Sequence, residues 1–196
     1  MPFRTSGPIV RDGVLGAALN AELRALVLRL SQSSPGQQSN MASGRSYFRH
    51  KWLSPKDLHQ RDEPVLQAVC AGLRQQAETA CQELLGVPQP LTITACWALV
   101  SRQGMAGRPH SHQGLISGAY YVDAGASGAP GCGGLFLTWP GGSGTPQQWQ
   151  PRTDRLLLFA SALAHAVSPY QAEQPRITLS FNLDRRDGGE ALSRDS

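Results

Sequence analysis

Charge is scarce in this chain: Asp, Glu, Lys and Arg make up 16% of its 196 residues, and aromatics only 7%. Its basic residues stand singly apart from Arg185-Arg186, so the net charge of +4 lacks the run or stripe that grips a phosphate backbone. Nucleic acid is therefore not an indicated partner, whereas an acidic metabolite or peptide suits such a surface. No apolar stretch approaches the roughly 20 residues that span a bilayer, and Met1-Pro2-Phe3-Arg4 does not lead into the apolar core of a secretion signal. A cytoplasmic protein with no membrane partner is expected. The four cysteines, Cys70, Cys81, Cys96 and Cys132, include no Cys-x-x-Cys pair and are expected to be reduced core thiols. Oligomeric state has no readable signature.

Glycine and proline, by contrast, are plentiful at 21 and 14 residues, and they fall between short β-rich runs. The pattern predicts a strand over 3–10 and an amphipathic helix over 16–30 carrying Leu19, Leu23, Leu26, Val27 and Leu30. A polar loop follows over 31–46, suited to a lid. Asp62-Glu63-Pro64 and Gly86 bracket a second helix with Val65, Leu66, Val69, Leu73, Ala77, Ala80, Leu84 and Leu85 on its apolar stripe. Strand-like runs then occupy 91–102, 115–122, 134–139, 155–159 and 175–183. Helices followed by strands imply an α+β fold, mainly β, with two helices packed outside a sandwich or closed double sheet. One domain is expected over 1–184, with a disordered tail over 185–196.

Three motifs carry chemistry. His110-Ser111-His112 places two imidazoles on one face of an extended segment, since residues i and i+2 point the same way. His165 sits in the apolar run Ala162-Leu163-Ala164-His165-Ala166-Val167, where a polar ring requires a partner: a metal ion or a backbone group. In Pro175-Arg176-Ile177-Thr178-Leu179-Ser180-Phe181-Asn182 the alternation puts Arg176, Thr178 and Ser180 on one face and Ile177, Leu179 and Phe181 on the other. An inward guanidinium binds a carboxylate through two parallel hydrogen bonds, and Thr178 adds a hydroxyl beside it. Together these residues suggest one divalent ion and an anionic cosubstrate, a non-haem iron site. His50 and His59 lie in polar surroundings and read as surface residues. Trp97, Trp139 and Trp149 suit either a pocket wall or core packing. The glycines of 125–134 and 141–144 lack the strand-to-helix setting of a phosphate loop and read as turns and active-site walls.

The order of these segments resembles the iron(II)- and 2-oxoglutarate-dependent oxygenases, in particular a subgroup of small members with a His-x-His motif. The resemblance runs over about 91–184, through Trp97, Arg108-Pro109-His110-Ser111-His112, Ser117-Gly118-Ala119-Tyr120-Tyr121-Val122 and Gly134-Leu135-Phe136-Leu137 with Pro140. It continues with Leu156-Leu157-Leu158-Phe159 leading to His165, and ends with Arg176-Ile177-Thr178-Leu179-Ser180-Phe181-Asn182. It implies a double-stranded β-helix, or jelly roll, with Fe(II) at its open end held by His110 and His165. Arg176 and Thr178 would bind the far carboxylate of the cosubstrate 2-oxoglutarate, and either Tyr120 or Tyr121, as alternation admits one of them, would reach it too. At position 112 the commonest motif has Asp or Glu, so His112 is either a third ligand or lies behind the ligands; Asp123, beyond a whole strand, is a poor replacement.

The implied activity consumes O2 and 2-oxoglutarate, releases succinate and hydroxylates a C–H bond in an amino acid, peptide or small metabolite. One rival is a three-histidine, cupin-like dioxygenase without 2-oxoglutarate, in which Arg176 has no cosubstrate to hold. The other is a non-catalytic metal- or ligand-binding jelly-roll module. The walls expected to select the substrate, 31–46, 103–108 and 124–133, carry no readable code.

Overall fold

The computed structural model describes residues 7–36, 51–126, 132–139 and 145–186. Two helices, α1 (Ala17–Ser33) and α2 (Pro64–Leu85), pack against the larger of two antiparallel sheets. Helix α2 occupies its expected span because Pro64 stands at its first turn and Gly86 takes the left-handed conformation (φ 80°) that ends it. Helix α1 runs three residues past its expected end, into the segment expected as a loop. The hydroxyls of Ser31 and Ser33 donate back to the carbonyls of Leu28 and Leu30, so serine is tolerated in the last turn. Residues 37–46 of that expected loop lie outside the described residues.

The larger sheet joins six strands: β1 (Ile9–Asp12), β2 (Lys51–Leu53), β3 (Leu91–Ser101), β5 (Ile116–Asp123), β8 (Arg155–Ala160) and β10 (Arg176–Arg185), in the order β1-β8-β5-β10-β3-β2. The smaller joins β4 (Gly107–His110), β6 (Leu135–Leu137), β7 (Gln147–Trp149) and β9 (His165–Val167), in the order β4-β9-β6-β7. The two sheets form a double-stranded β-helix.

Alternation along β10 divides the core in two. Ile177, Leu179, Phe181 and Leu183 pack with Leu23, Val27, Leu66, Leu73 and Leu84 under the helices. Between the sheets, Tyr121, Leu135, Leu137, Leu157, Phe159 and Leu163 form a second cluster. Gly118 permits the closest approach in the first layer, since a Cβ there would stand 2.2 Å from Phe181 Cζ.

Of the strand expected over 3–10, residues 3–6 lie outside the described residues, and the described strand, Ile9–Asp12, runs two residues past the expected end, Asp12 pairing with Arg155 of β8 at 2.7 Å. Strands β2, β4, β7 and β9 are short and irregular in pattern; β2, β4 and β9 form through partners distant in sequence, and β7 through the preceding strand β6. Of the expected tail, Arg185 still belongs to β10, and 187–196 lie outside the described residues. Among the described residues no helix is long and apolar enough to cross a membrane.

Candidate metal and cosubstrate site

His110 ends β4 and His165 begins β9, and the two stand directly opposite each other in the antiparallel pair. His112 lies just beyond β4, its backbone N–H donated to the Ser161 carbonyl at 2.9 Å. The ring centroids are 4.2 Å (His110–His165), 4.9 Å (His110–His112) and 5.0 Å (His112–His165) apart. One nitrogen from each ring falls within 4.8 Å of the other two. Ligands about 2.1 Å from an ion lie up to ~4.2 Å apart, so small side-chain rotations suffice to bring all three onto one metal. Imidazole is a suitable donor for iron as for zinc, copper and nickel.

The orientation of two rings is built in. Nδ1–H of His110 donates to the Arg108 carbonyl at 2.7 Å, and that of His165 to the Leu163 carbonyl at 3.0 Å. Each bond fixes the tautomer and leaves the Nε2 lone pair free to bind a metal. Burial first, then the neighbouring imidazoles and Lys56, pushes His112 down to about 4. Burial first, with His110 adding to it against the Leu163 carbonyl, pushes His165 down to about 4. Both rings are therefore neutral near pH 7, the form that donates a lone pair. Trp97 meets His112 edge-on at 5.6 Å under the Lys56 ammonium, and Phe159 meets His165 at 5.0 Å.

The inner face of the larger sheet leads away from this cluster in cross-strand rows: Trp97 with Ser180 and Ala119, then Leu99 with Thr178 and Tyr121, then Ser101 with Arg176. Arg176 is 3% exposed and meets no carboxylate among the described residues: Tyr121, Tyr170 and Cys132 are the groups that offset the lowering of its pKa by burial. One guanidinium nitrogen donates to the Gly133 carbonyl and another lies 3.9 Å from the Met105 sulfur, with the Tyr170 ring 5.2 Å away. Arg176 Nε is buried with no hydrogen-bond partner among the described residues, as are Thr178 Oγ1 and Ser101 Oγ. A buried cation beside unmet donors is the complement of an anion.

Tyr121 is the tyrosine that faces this row, its phenol pushed up by burial against the pull of Arg176 and Arg155. Tyr120 points to the helices, where its hydroxyl bonds to Asn20 and Asp154 at 2.7 Å each. Asp123 is engaged by Arg24 at 2.7 Å and by the Gly125 N–H, away from the imidazoles. His59 stands apart beside Gln60, and His50 lies outside the described residues. Trp139 and Trp149 are partly buried against the inter-sheet cluster. Of the expected glycine walls, 127–131 and 141–144 lie outside the described residues, as does Pro140. Sequence reasoning overlooked Ser101 and the two ring-orienting carbonyls. Extending the alternation from Trp97 through Leu99 places Ser101 inward; the carbonyl bonds have no sequence signal.

A family model described as "Putative 2OG-Fe(II) oxygenase" matches residues 141–182, a segment containing His165, Arg176 and Thr178. A comparison with curated protein sequences found no match. Among solved structures, the chain resembles a Trichoplax adhaerens prolyl hydroxylase in complex with a hypoxia-inducible-factor peptide (23% identity, TM-score 0.68, covering 91% of this chain and 84% of that one). It also resembles a Pseudomonas putida prolyl-4-hydroxylase (20%, 0.69, 93% and 94%). A third is HygX from Streptomyces hygroscopicus with nickel and 2-oxoglutarate bound (15%, 0.69, 93% and 84%). At these identities the likeness establishes the fold.

Proposed function

We propose that this chain, a 2OG-Fe(II) oxygenase by its matched segment, its fold and its imidazole cluster, hydroxylates a C–H bond of a small-molecule or peptide substrate. When bound, iron(II) with 2-oxoglutarate supplies the oxygen chemistry, in which O2 and 2-oxoglutarate yield succinate, carbon dioxide and one oxygen atom inserted into the C–H bond.

The protein's part is placement. His110 and His165 hold the metal through Nε2, and His112 is the third ligand, giving an uncharged donor set in place of two imidazoles and a carboxylate. Arg176 offers Nε to the far carboxylate of 2-oxoglutarate, and Thr178 adds its hydroxyl. Tyr121 lines that end of the cavity, while Leu157, Phe159 and Leu163 keep the space between the sheets dry. The observation that carries this reading is the buried Arg176, without a carboxylate among the described residues, on the sheet face that leads to three convergent imidazoles. Support for the substrate class is the pair of neighbours with a peptide and with hygromycin B bound. The four cysteines, buried and free, support a reducing, cytoplasmic setting.

The test is anaerobic loading with Fe(II) followed by oxygen, measuring succinate from 2-oxoglutarate in the parent and in His165→Ala and Arg176→Ala. Succinate from the parent and from neither variant is expected. His112 in place of a carboxylate favours one second reading, a three-histidine dioxygenase that binds substrate directly; oxygen consumption that persists in Arg176→Ala would select it.

A further inference from the structure

We propose that Ser101 is a third hydrogen-bond donor to the far carboxylate of the 2-oxo acid, and that with Arg176 and Thr178 it restricts the site to dicarboxylic cosubstrates. The proposal rests on the 2-oxoglutarate reading above and deepens it.

Ser101 closes β3 directly opposite Arg176 of β10. Directly opposed residues in an antiparallel pair share a face, with Cβ atoms about 4.5–5.5 Å apart. Ser101 is fully buried, yet its hydroxyl has no partner among the described residues. Serine normally satisfies its hydroxyl when buried, because an unpaired polar group in the interior is costly. Here the unmet hydroxyl has company: Arg176 Nε lies across the strand pair, and Thr178 Oγ1 is one inward-facing position farther along β10. Three unmet donors at neighbouring positions of one sheet face are what a carboxylate, with about four lone-pair sites, can satisfy together. Lys51 of β2 stands opposite Ser101 on its other side, so a second cation flanks the row. Around it Leu99, Met105 and Tyr170 pack as an apolar collar, which strengthens each bond by excluding water.

The test uses Ni(II)-loaded protein, which binds without turnover, and calorimetric affinities for 2-oxoglutarate and for 2-oxobutyrate, the same 2-oxo acid head without a far carboxylate. Ser101→Ala is expected to weaken 2-oxoglutarate roughly tenfold or more and to leave 2-oxobutyrate within about twofold, since a hydrogen bond to a charged group is lost for one ligand only. The metal-free variant should melt no lower than the parent, because the hydroxyl removed has no partner there. Ser101→Cys, of similar size and a weak donor, should follow Ala. Unchanged 2-oxoglutarate affinity in Ser101→Ala beside a loss in Arg176→Ala would overturn the role of Ser101 and leave the cosubstrate reading standing. Equal weakening of both ligands would reduce Ser101 to a structural role and overturn it too. A parent protein that fails to prefer 2-oxoglutarate over 2-oxobutyrate would overturn both readings together.

Discussion

Thr178→Val should make the protein more stable and its cosubstrate weaker. Thr178 is 8% exposed and its hydroxyl has no partner among the described residues, so the unliganded fold carries an uncompensated polar group at that position. Valine has nearly the same shape and suits a strand. Relieving the unmet hydroxyl should gain about 1 kcal/mol, the low end of the cost of an orphaned buried donor. In a chain of this length that raises the melting temperature by about 2–4 °C. With 2-oxoglutarate the sign reverses. At ligand 1,000-fold above Kd, binding adds about 4.1 kcal/mol; a tenfold weaker Kd leaves about 2.7 kcal/mol at the same concentration. The liganded variant therefore gains about 1 and loses about 1.4 kcal/mol, and melts within a few degrees of the parent, while its ligand-induced shift is smaller by about 3–6 °C. Differential scanning of the Ni(II)-loaded protein with and without 2-oxoglutarate reads both quantities. A variant less stable without ligand, or one whose ligand-induced shift is undiminished, would refute the assignment of Thr178 as an unmet donor awaiting a carboxylate.

Asp154→Ala should destabilise the fold by about 2–4 kcal/mol with metal affinity unchanged, as read by urea denaturation and metal titration. The carboxylate accepts the N–H groups of Leu15 and Gly16 ahead of α1, each at 3.0 Å, and the Tyr120 hydroxyl; a loss below about 0.5 kcal/mol would contradict its role in anchoring the turn that leads into α1. His112→Ala should lower affinity for Ni(II) tenfold or more while His112→Asp retains it, because a carboxylate can take the same coordination position. Calorimetric metal affinities check this, and parent-like binding by His112→Ala would place His112 behind the ligands.

Much of the architecture was legible because its determinants are local. The stripe of α2, bounded by Pro64 and Gly86, and the alternation of β10 each depend on neighbours within one element. The same alternation allowed only one of the adjacent Tyr120 and Tyr121 to face inward, yet could not say which, since that depends on how β5 is registered against β10. Strand β9 escaped notice for a related reason: three residues of weak pattern become a strand only when β4 and β6 lie on either side. Strand β1 runs two residues past its expected end, where Arg11 and Asp12 pair with Leu156 and Arg155, more than 140 residues away in sequence.

By itself the sequence determined which residue types were present in the right order: two imidazoles in an i, i+2 pair, a third far downstream, and an arginine alternating with a threonine in a late strand. Side-chain chemistry and a two-residue period are written in the chain. Only the tertiary structure decided that His110 and His165 face each other across β4 and β9, that backbone carbonyls hold their rings, and that Ser101 stands against Arg176. Those relations come from pairing strands distant in sequence, where register, rather than composition, determines which groups meet.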